Sequence, residues 1–191
     1  QKPCPRAALP LFHLAQIYIT EADLESASET LAEIREIGEP VQDRALASLR
    51  VVEAMLHNAE GVRRATRGDV EPTTESLRKV LALTDQVVRL SEQNSLVSMQ
   101  YEMAAQCKAT AAHLGLAQLT ADPDEVRHCA EEALLSAQRA YEIFQLFGFA
   151  QIVECVSEEV FLRYSQALAA NQQQDMENRF LRRAYDEMMR K

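Results

Sequence analysis

Apolar residues at three- and four-residue spacing follow one another along most of the chain, with few helix-breaking residues between them. The 191 residues include only 5 Gly and 6 Pro. Such spacing places apolar side chains on one side of an α-helix, and a scarcity of turn residues is typical of long helices rather than many short strands. No segment alternates apolar and polar residues long enough to predict a strand. The sequence therefore predicts an all-α fold.

The stripes and the breaks between them predict eight helices. The first runs from about Leu11 to Ile19, and the second carries its stripe along Leu24–Ile37 until Gly38 and Pro40 end it. The segment Asn58–Thr73 is predicted to be a long loop because of its Gly, Pro and charge content. The other six helices carry their stripes within residues 46–56, 77–91, 96–114, 126–147, 153–167 and 180–188.

Charge and hydropathy exclude two classes of partner. The formal net charge is -9 and the pI is about 5.0, whereas a general nucleic-acid surface needs a basic stripe. No apolar run approaches the roughly 18 residues of a membrane span. We therefore expect neither nucleic acid nor membrane as a partner.

The chain ends and the cysteines suggest an intracellular piece of a longer protein. The sequence begins QKPCP, without Met or a signal-peptide apolar core, and ends YDEMMRK in a helical pattern. Residues 1–191 are expected to form a single domain. The cysteines form no CxxC pair and are interpreted as reduced thiols, mostly buried, in the cytoplasm or nucleus; they are Cys4, Cys107, Cys129 and Cys155.

The predicted helices arrive in pairs with a recurring order of large and small residues. The segment LAQIYITEADLESASETLAEI contains it most clearly, at Leu14, Ala15, Tyr18, Ala27, Leu31 and Ile34. This order resembles the tetratricopeptide repeat, in which a Leu–small–x–x–aromatic first helix precedes a second helix with small–x3–large–x2–small. The small residues let two helices approach closely, and the large ones fill the groove beside them.

Further copies of the pattern follow with longer spacing than the usual 34 residues. One joins the pair Leu114–Gly115 to Ala130, Leu134 and Ala137. A second begins at Tyr164–Ser165 and Leu168 and continues at Glu177, Leu181 and Ala184, and the weakest joins Leu56 to Leu77, Leu81 and Thr84. The resemblance implies an α-solenoid of about four antiparallel helical hairpins.

The same resemblance implies a binding face. In this repeat class the first helix of each hairpin lines most of the concave face, which holds a peptide or helix of another protein. Positions two before and two after each first-helix anchor residue give the candidate partner-binding residues, namely Phe12, Gln16, Ala112, Leu116, Leu162 and Gln166. Packing between repeats is the alternative interpretation of Ala112, Leu116 and Leu162, so Phe12, Gln16 and Gln166 are the preferred candidates.

No motif indicates catalysis, a metal or a cofactor. Glu125-x-x-His128 has the spacing of a di-iron ligand pair, but the sequence contains no second Glu-x-x-His. We expect His128 to be an exposed residue at a helix start. His13, His57 and His113 are isolated, and no phosphate-binding or nucleophile motif is present.

Two functions remain open. The first is a non-catalytic interaction scaffold within a larger protein or complex. The alternative is a helical sensor domain that binds a small ligand or signalling peptide and controls an attached effector domain. Arginines 63, 64 and 67 of the predicted loop are either solvated or a contact for an acidic partner. The sequence does not determine the oligomeric state.

Overall fold

The computed structural model describes residues 8–37, 43–93, 96–147 and 157–172, which form seven α-helices and contain no strand. The helices are α1 (Ala8–Thr20), α2 (Leu24–Ile37), α3 (Asp43–Ala65), α4 (Val70–Gln93), α5 (Leu96–Leu119), α6 (Pro123–Phe147) and α7 (Ser157–Ala170). The prediction of an all-α fold is confirmed for this part of the chain. The predicted eighth helix, at residues 180–188, lies outside the described residues.

Helices that follow one another in the chain pack as hairpins. The most extensive contacts join α5 with α6, α3 with α4, α4 with α5, and α1 with α2. A second set of contacts links alternate helices: α1 lies against α3, α3 against α5, and α5 against α7. Across the described ranges, the even-numbered helices make no contact of similar extent with one another. The odd-numbered helices therefore form a continuous row.

The core is divided among neighbouring hairpins. Its largest part gathers α3, α4, α5, α6 and α7 around Met103, Cys107, Ile143 and Phe161. A second cluster joins α1, α2 and α3, and contains the predicted repeat residues Ala27, Leu31 and Ile34, all of them buried. Since the clusters are centred on different hairpins, apolar burial holds each helix against its neighbours along the row.

The α3–α4 connection corrects the predicted loop at Asn58–Thr73. Helix α3 continues to Ala65 and α4 begins at Val70, so the connection spans only residues 66–69. Gly61 is helical and faces Leu77 of α4, with 3.4 Å between an added Cβ and the Leu77 Cδ2 atom. Pro72 lies in the first turn of α4, where a backbone N–H needs no helical partner. These two residues were wrongly interpreted as loop residues.

Gly68, in the connection after Ala65, closes the end of α3. Gly68 has φ 81°, and its N–H donates to the Ala65 carbonyl at 3.0 Å while the next N–H, of Asp69, donates to the Arg64 carbonyl at 3.1 Å. This is the left-handed residue that commonly closes a helix, and glycine adopts it without a steric penalty. The chain therefore reverses within four residues, and α4 returns along α3.

A capping aspartate starts α2 where the apolar stripe predicted. The Asp23 Oδ1 atom accepts a hydrogen bond from the Ser26 N–H at 3.1 Å. This bond satisfies one of the free N–H groups at the helix start. The hydrogen bonds from Ser26 also lower the pKa of the Asp23 carboxyl.

Buried carboxylates add ionic links between the helices. Glu53 of α3 is 2% exposed, and its Oε1 accepts from Arg35 of α2 at 2.6 Å while its Oε2 accepts from Arg50 at 2.8 Å. Glu102 of α5 accepts from Arg139 of α6 at 2.7 Å and from the Ser91 hydroxyl of α4 at 2.6 Å. Each carboxylate thus ties its own helix to one or two neighbours.

Candidate functional site

The two predicted partner residues of α1, Phe12 and Gln16, differ in burial. Phe12 is only 2% exposed and packs with α2 and α3 in the core, whereas Leu14, the expected anchor residue, is 37% exposed. Phe12 is buried because Phe12, Ala15 and Ile19 form the stripe that contacts both neighbouring helices. Its contact with a partner stays a prediction. Gln16 is half-buried.

The predicted residues of α5 belong to a packed cluster. Ala112 is fully buried beside Leu77 and Val80 of α4, and Leu116 is half-buried against the same cluster. They fill the space between hairpins, as the alternative interpretation of Ala112 and Leu116 proposed. Their role in partner contact stays a prediction that the structure does not test.

The predicted residues of α7 are exposed at the surface. Leu162 is 49% exposed, and Gln166 lies four residues further along the same helix face and is also exposed. The Gln166 side-chain oxygen accepts a hydrogen bond from Arg163 Nη1 at 3.0 Å. Helix α7 therefore carries two predicted partner residues on its exposed side.

A buried lysine of α5 forms an ion pair with α7. Lys108 is 8% exposed, and its Nζ donates to Glu159 Oε1 at 2.5 Å. Lysine is rarely buried without an ionic partner, and the Glu159 carboxylate offsets part of its desolvation cost. The pair is separated by 51 residues in the chain, so it exists only because α5 packs on α7.

Arg163 is the third charged member, and its donors are incompletely used. Its Nη2 lies 3.7 Å from the same Glu159 Oε1 atom, which is longer than a hydrogen bond. Its Nε is buried and has no hydrogen-bond partner within the described structure. Arginine carries five N–H donors in a fixed planar fork, and the buried Nε–H of Arg163 is left unsatisfied.

We refer to Lys108, Glu159, Arg163 and Gln166 as the α5–α7 cluster. The comparison with Glu53 shows its distinctive feature, because at Glu53 each carboxylate oxygen has its own arginine at hydrogen-bond distance. In the α5–α7 cluster both cations approach one oxygen of Glu159. These contacts bring two positively charged side chains and one carboxylate together in a chain whose formal net charge is -9.

Aromatic contacts pack α7 against α6. Tyr164 stacks on Tyr141 of α6 with ring centroids 5.3 Å apart, and Phe161 meets Phe144 edge-on, also at 5.3 Å. Burial, with smaller contributions from Tyr141 and Glu142, raises the pKa of the Tyr164 phenol. These contacts hold one side of α7 against α6 and leave Leu162 and Gln166 on the surface.

The other residues singled out from the sequence are separate from one another in the described part of the chain. His128 is exposed at the start of α6, as predicted, and Glu125 accepts a hydrogen bond from the Thr120 hydroxyl at 2.6 Å. Among the residues that the structure describes, no three His, Cys, Asp or Glu side chains are grouped to hold a metal ion. Cys107 and Cys129 are buried, as predicted, and burial raises the pKa of the Cys129 thiol. Cys4 and Cys155 lie outside the described residues.

The three arginines of the predicted loop lie at the end of α3 and in the turn after it. Arg63 lies in the last turn of α3 and Arg67 in the turn that follows, and both are exposed, whereas Arg64 donates to the Ser76 hydroxyl at 2.6 Å. None of the helices in the described ranges has the length and apolar character that crossing a membrane requires.

Sequence reasoning missed Lys108, Glu159 and Arg163, although α5 carries a usable signal. Glu102 and Lys108 are the two charged side chains among its 24 otherwise apolar or neutral residues. Both are buried, and both have an oppositely charged partner on another helix. A charged residue isolated in an apolar helix is therefore an indication of such a pair, although it does not identify the partner.

No protein-family model, no curated protein and no solved structure matches this chain. The resemblance to the tetratricopeptide repeat stays a prediction that rests on the residues quoted for it.

Proposed function

We propose that this chain is a non-catalytic interaction scaffold that holds a partner protein on the face of its odd-numbered helices. The observation that carries the proposal is the row of contacts from α1 to α3, from α3 to α5 and from α5 to α7. Stacked helical hairpins of a solenoid make such a row, and their first helices together present one extended surface. We propose the same solenoid arrangement for this chain, with four tetratricopeptide-like hairpins.

The α7 end of this face supplies the contacts that a partner needs. Leu162 offers an exposed aliphatic side chain, and Gln166 and Arg163 offer polar groups beside it. Interfaces commonly surround an apolar contact with polar groups that fix the partner's orientation. We therefore place the partner on α7 and on the part of α5 near Lys108.

Matched variants test this surface. Leu162→Asp would place a charge on the proposed face, and Leu135→Asp would place one on α6, where Leu135 is 60% exposed. Each tagged chain is used to capture proteins from native extract, and recovery is quantified by mass spectrometry. The proposal expects Leu162→Asp to lose a protein that the unmodified chain and Leu135→Asp both retain.

The opposite pattern of recovery would contradict the proposal. If Leu135→Asp loses the captured protein and Leu162→Asp retains it, the interface lies on the even-numbered helices. Thermal unfolding of both variants serves as the control, because substitutions at such exposed positions should alter stability by about 0.5 kcal/mol or less.

A further inference from the structure

We propose that the uncovered side of α1, together with the acidic helix α2 beside it, binds a cationic amphipathic helix of a partner protein. This surface involves no residue of α7, so the inference goes beyond the proposed function and does not depend on it. It starts from the composition of α1, which contains no Asp, Glu, Lys or Arg among its 13 residues. A helix at a protein surface usually carries charged and polar residues on its exposed side.

The uncovered side of α1 is mostly apolar instead. Pro10, Leu14 and Ile17 follow one another at four- and three-residue spacing, and Leu14 is 37% and Ile17 51% exposed. This spacing places the three side chains on one side of the helix, opposite the buried Phe12, with the exposed His13 beside them. A stack of helical hairpins needs a polar outer surface at its end, so an apolar one indicates that a further element packs there.

The position of α1 in the row of odd-numbered helices favours a helix as the occupant. Within the described ranges α3 packs between α1 and α5, and α5 packs between α3 and α7, whereas α1 has one such neighbour. A partner helix against the uncovered side would be its second. The stripe from Pro10 to Ile17 extends over about 10 Å, at about 1.5 Å per residue. Two turns of an amphipathic helix, with apolar residues at the same spacing, can cover it.

The charges beside this stripe favour a cationic partner. Residues 21–36, which include most of α2, contain six acidic side chains and one basic side chain. The basic one, Arg35, is already paired with the buried Glu53. Five exposed glutamates form no ion pair within the described ranges, namely Glu21, Glu25, Glu29, Glu33 and Glu36. Glu25, Glu29 and Glu33 lie four residues apart, where like charges destabilise a helix, and lysines or arginines of a partner would offset that repulsion.

The acidic segment adjoins the apolar stripe directly. The Glu21 N–H donates to the Ile17 carbonyl at 2.9 Å, so Glu21 lies one turn beyond Ile17. The chain then reverses, and α2 returns along α1 with extensive contacts. A partner helix would therefore place aliphatic side chains against Leu14 and Ile17 and cationic ones near the glutamates. A second copy of this chain fits less well, because it would bring equal acidic segments together, and like charges across an interface oppose association.

Methyl nuclear magnetic resonance of the whole chain, with ¹³C at the isoleucine Cδ1 groups, tests this surface. The Ile17 signal is assigned by its loss in Ile17→Val, and the buried Ile143 provides an internal reference. Three helical peptides of equal length are titrated: one with leucines on one side and lysines on the other, one with glutamates in place of the lysines, and a leucine–lysine peptide whose apolar stripe is scrambled. We expect saturable shifts of the Ile17 signal with the first peptide and much smaller ones with the other two.

One pair of variants measures the apolar contact. Ile17→Ser should raise the dissociation constant of the first peptide about fivefold, because part of an aliphatic side chain is lost from the interface. Leu135→Ser is the matched control, since Leu135 lies on α6 and is similarly exposed, by 60%. It should leave the dissociation constant unchanged. Fluorescence anisotropy of the dye-labelled peptide gives both values.

A second pair measures the contribution of charge. The triple variant Glu25→Gln, Glu29→Gln and Glu33→Gln should also raise the dissociation constant about fivefold, through the loss of several exposed ionic contacts. The control triple variant makes the same change in net charge at exposed glutamates of α4 and α6, namely Glu71→Gln, Glu92→Gln and Glu131→Gln. We expect a much smaller effect from the control, because distant exposed charges are screened by salt.

Several results would overturn the proposal. They are shifts of Ile17 as large with the glutamate or the scrambled peptide, no shift with any peptide, and equal weakening in the two triple variants. A dimer of the unmodified chain that Ile17→Ser dissociates in sedimentation would show that a second copy covers α1 instead. The comparison of the three peptides on the unmodified chain decides the question if a variant fails to fold. Loss of capture in Leu162→Asp is a separate result, because it concerns α7.

Discussion

The side chain of Leu77 in α4 lies so close to Gly115 in α5 that a Cβ at position 115 would come within 2.8 Å of the Leu77 Cδ1 atom. Leu77 also faces Gly61 of α3, where an added Cβ would remain at 3.4 Å. One leucine thus packs between glycines of two neighbouring odd-numbered helices. The pattern predicted a small residue at 115, and the structure shows that its contact is with the preceding hairpin.

Alanine at the two glycines should have opposite effects on stability. Gly61→Ala should stabilise the chain by about 0.5–1 kcal/mol, because it removes the entropic cost of a helical glycine while making only an ordinary contact with Leu77. In Gly115→Ala the added Cβ would lie 2.8 Å from the Leu77 Cδ1 atom. The variant should be less stable than the unmodified chain, since overpacking costs about 1–3 kcal/mol. Chemical denaturation measures both. Equal stability of the two variants would refute the asymmetry.

Phe12 and Leu14 provide a test of the packing of α1. Phe12→Ala should destabilise the chain by about 3–5 kcal/mol, because a buried aromatic side chain is lost from the core. Leu14→Ala should cost less than about 1 kcal/mol, because Leu14 is partly exposed. Thermal and denaturant unfolding give both values. A larger loss of stability in Leu14→Ala than in Phe12→Ala would instead support the repeat pattern, in which Leu14 is the anchor residue.

The Glu102–Arg139 pair should respond unequally to removal of its partners. Glu102 is buried, whereas the Arg139 side chain is 44% exposed. Arg139→Met leaves a buried carboxylate without its cation and should cost about 3–5 kcal/mol. Glu102→Leu should cost less, since Arg139 can return to water. Denaturant unfolding of both single variants and the double variant measures the coupling, and a larger cost for Glu102→Leu would contradict this account.

His113 should make the chain less stable in acid. Burial lowers the pKa of His113 below its ordinary value of 6.5, an effect strengthened by His128 and opposed by Glu132 and Asp85. The unfolded chain therefore binds a proton more readily than the folded one, and this contribution to stability falls as the pH decreases through about 6.5. At pH 8, where the histidine is neutral in both states, the contribution is constant.

The corresponding measurement compares the unmodified chain with His113→Gln between pH 8 and pH 5. The variant should gain stability relative to the unmodified chain as the pH falls. A constant difference across this range would show that His113 does not contribute to the pH dependence.

Much of the fold follows from local sequence, because helices are specified by periodic apolar residues and by their ends. The Leu24–Ile37 stripe predicted the bounds of α2, which the structure confirms. The loop prediction failed at Gly61 because an isolated glycine does not reveal that a neighbouring helix approaches it. Tertiary packing decides that case.

The candidate site was less accessible to prediction, because its members meet only through the contact of α5 with α7. Leu162 and Gln166 were predicted from the repeat pattern and are exposed. Lys108 and Glu159 are 51 residues apart, and no local rule joins them. The burial of Phe12 was not predicted, because spacing within one helix does not determine which side meets a third helix.

Site-specific photo-crosslinking tests the central claim most directly, namely that a partner protein is held on the face of the odd-numbered helices. A photoreactive residue is placed at position 166 on α7 and, as the matched control, at position 135 on α6, both of which are exposed. The account predicts a discrete protein adduct from position 166 in native extract and none from position 135. An adduct from position 135 alone would contradict it.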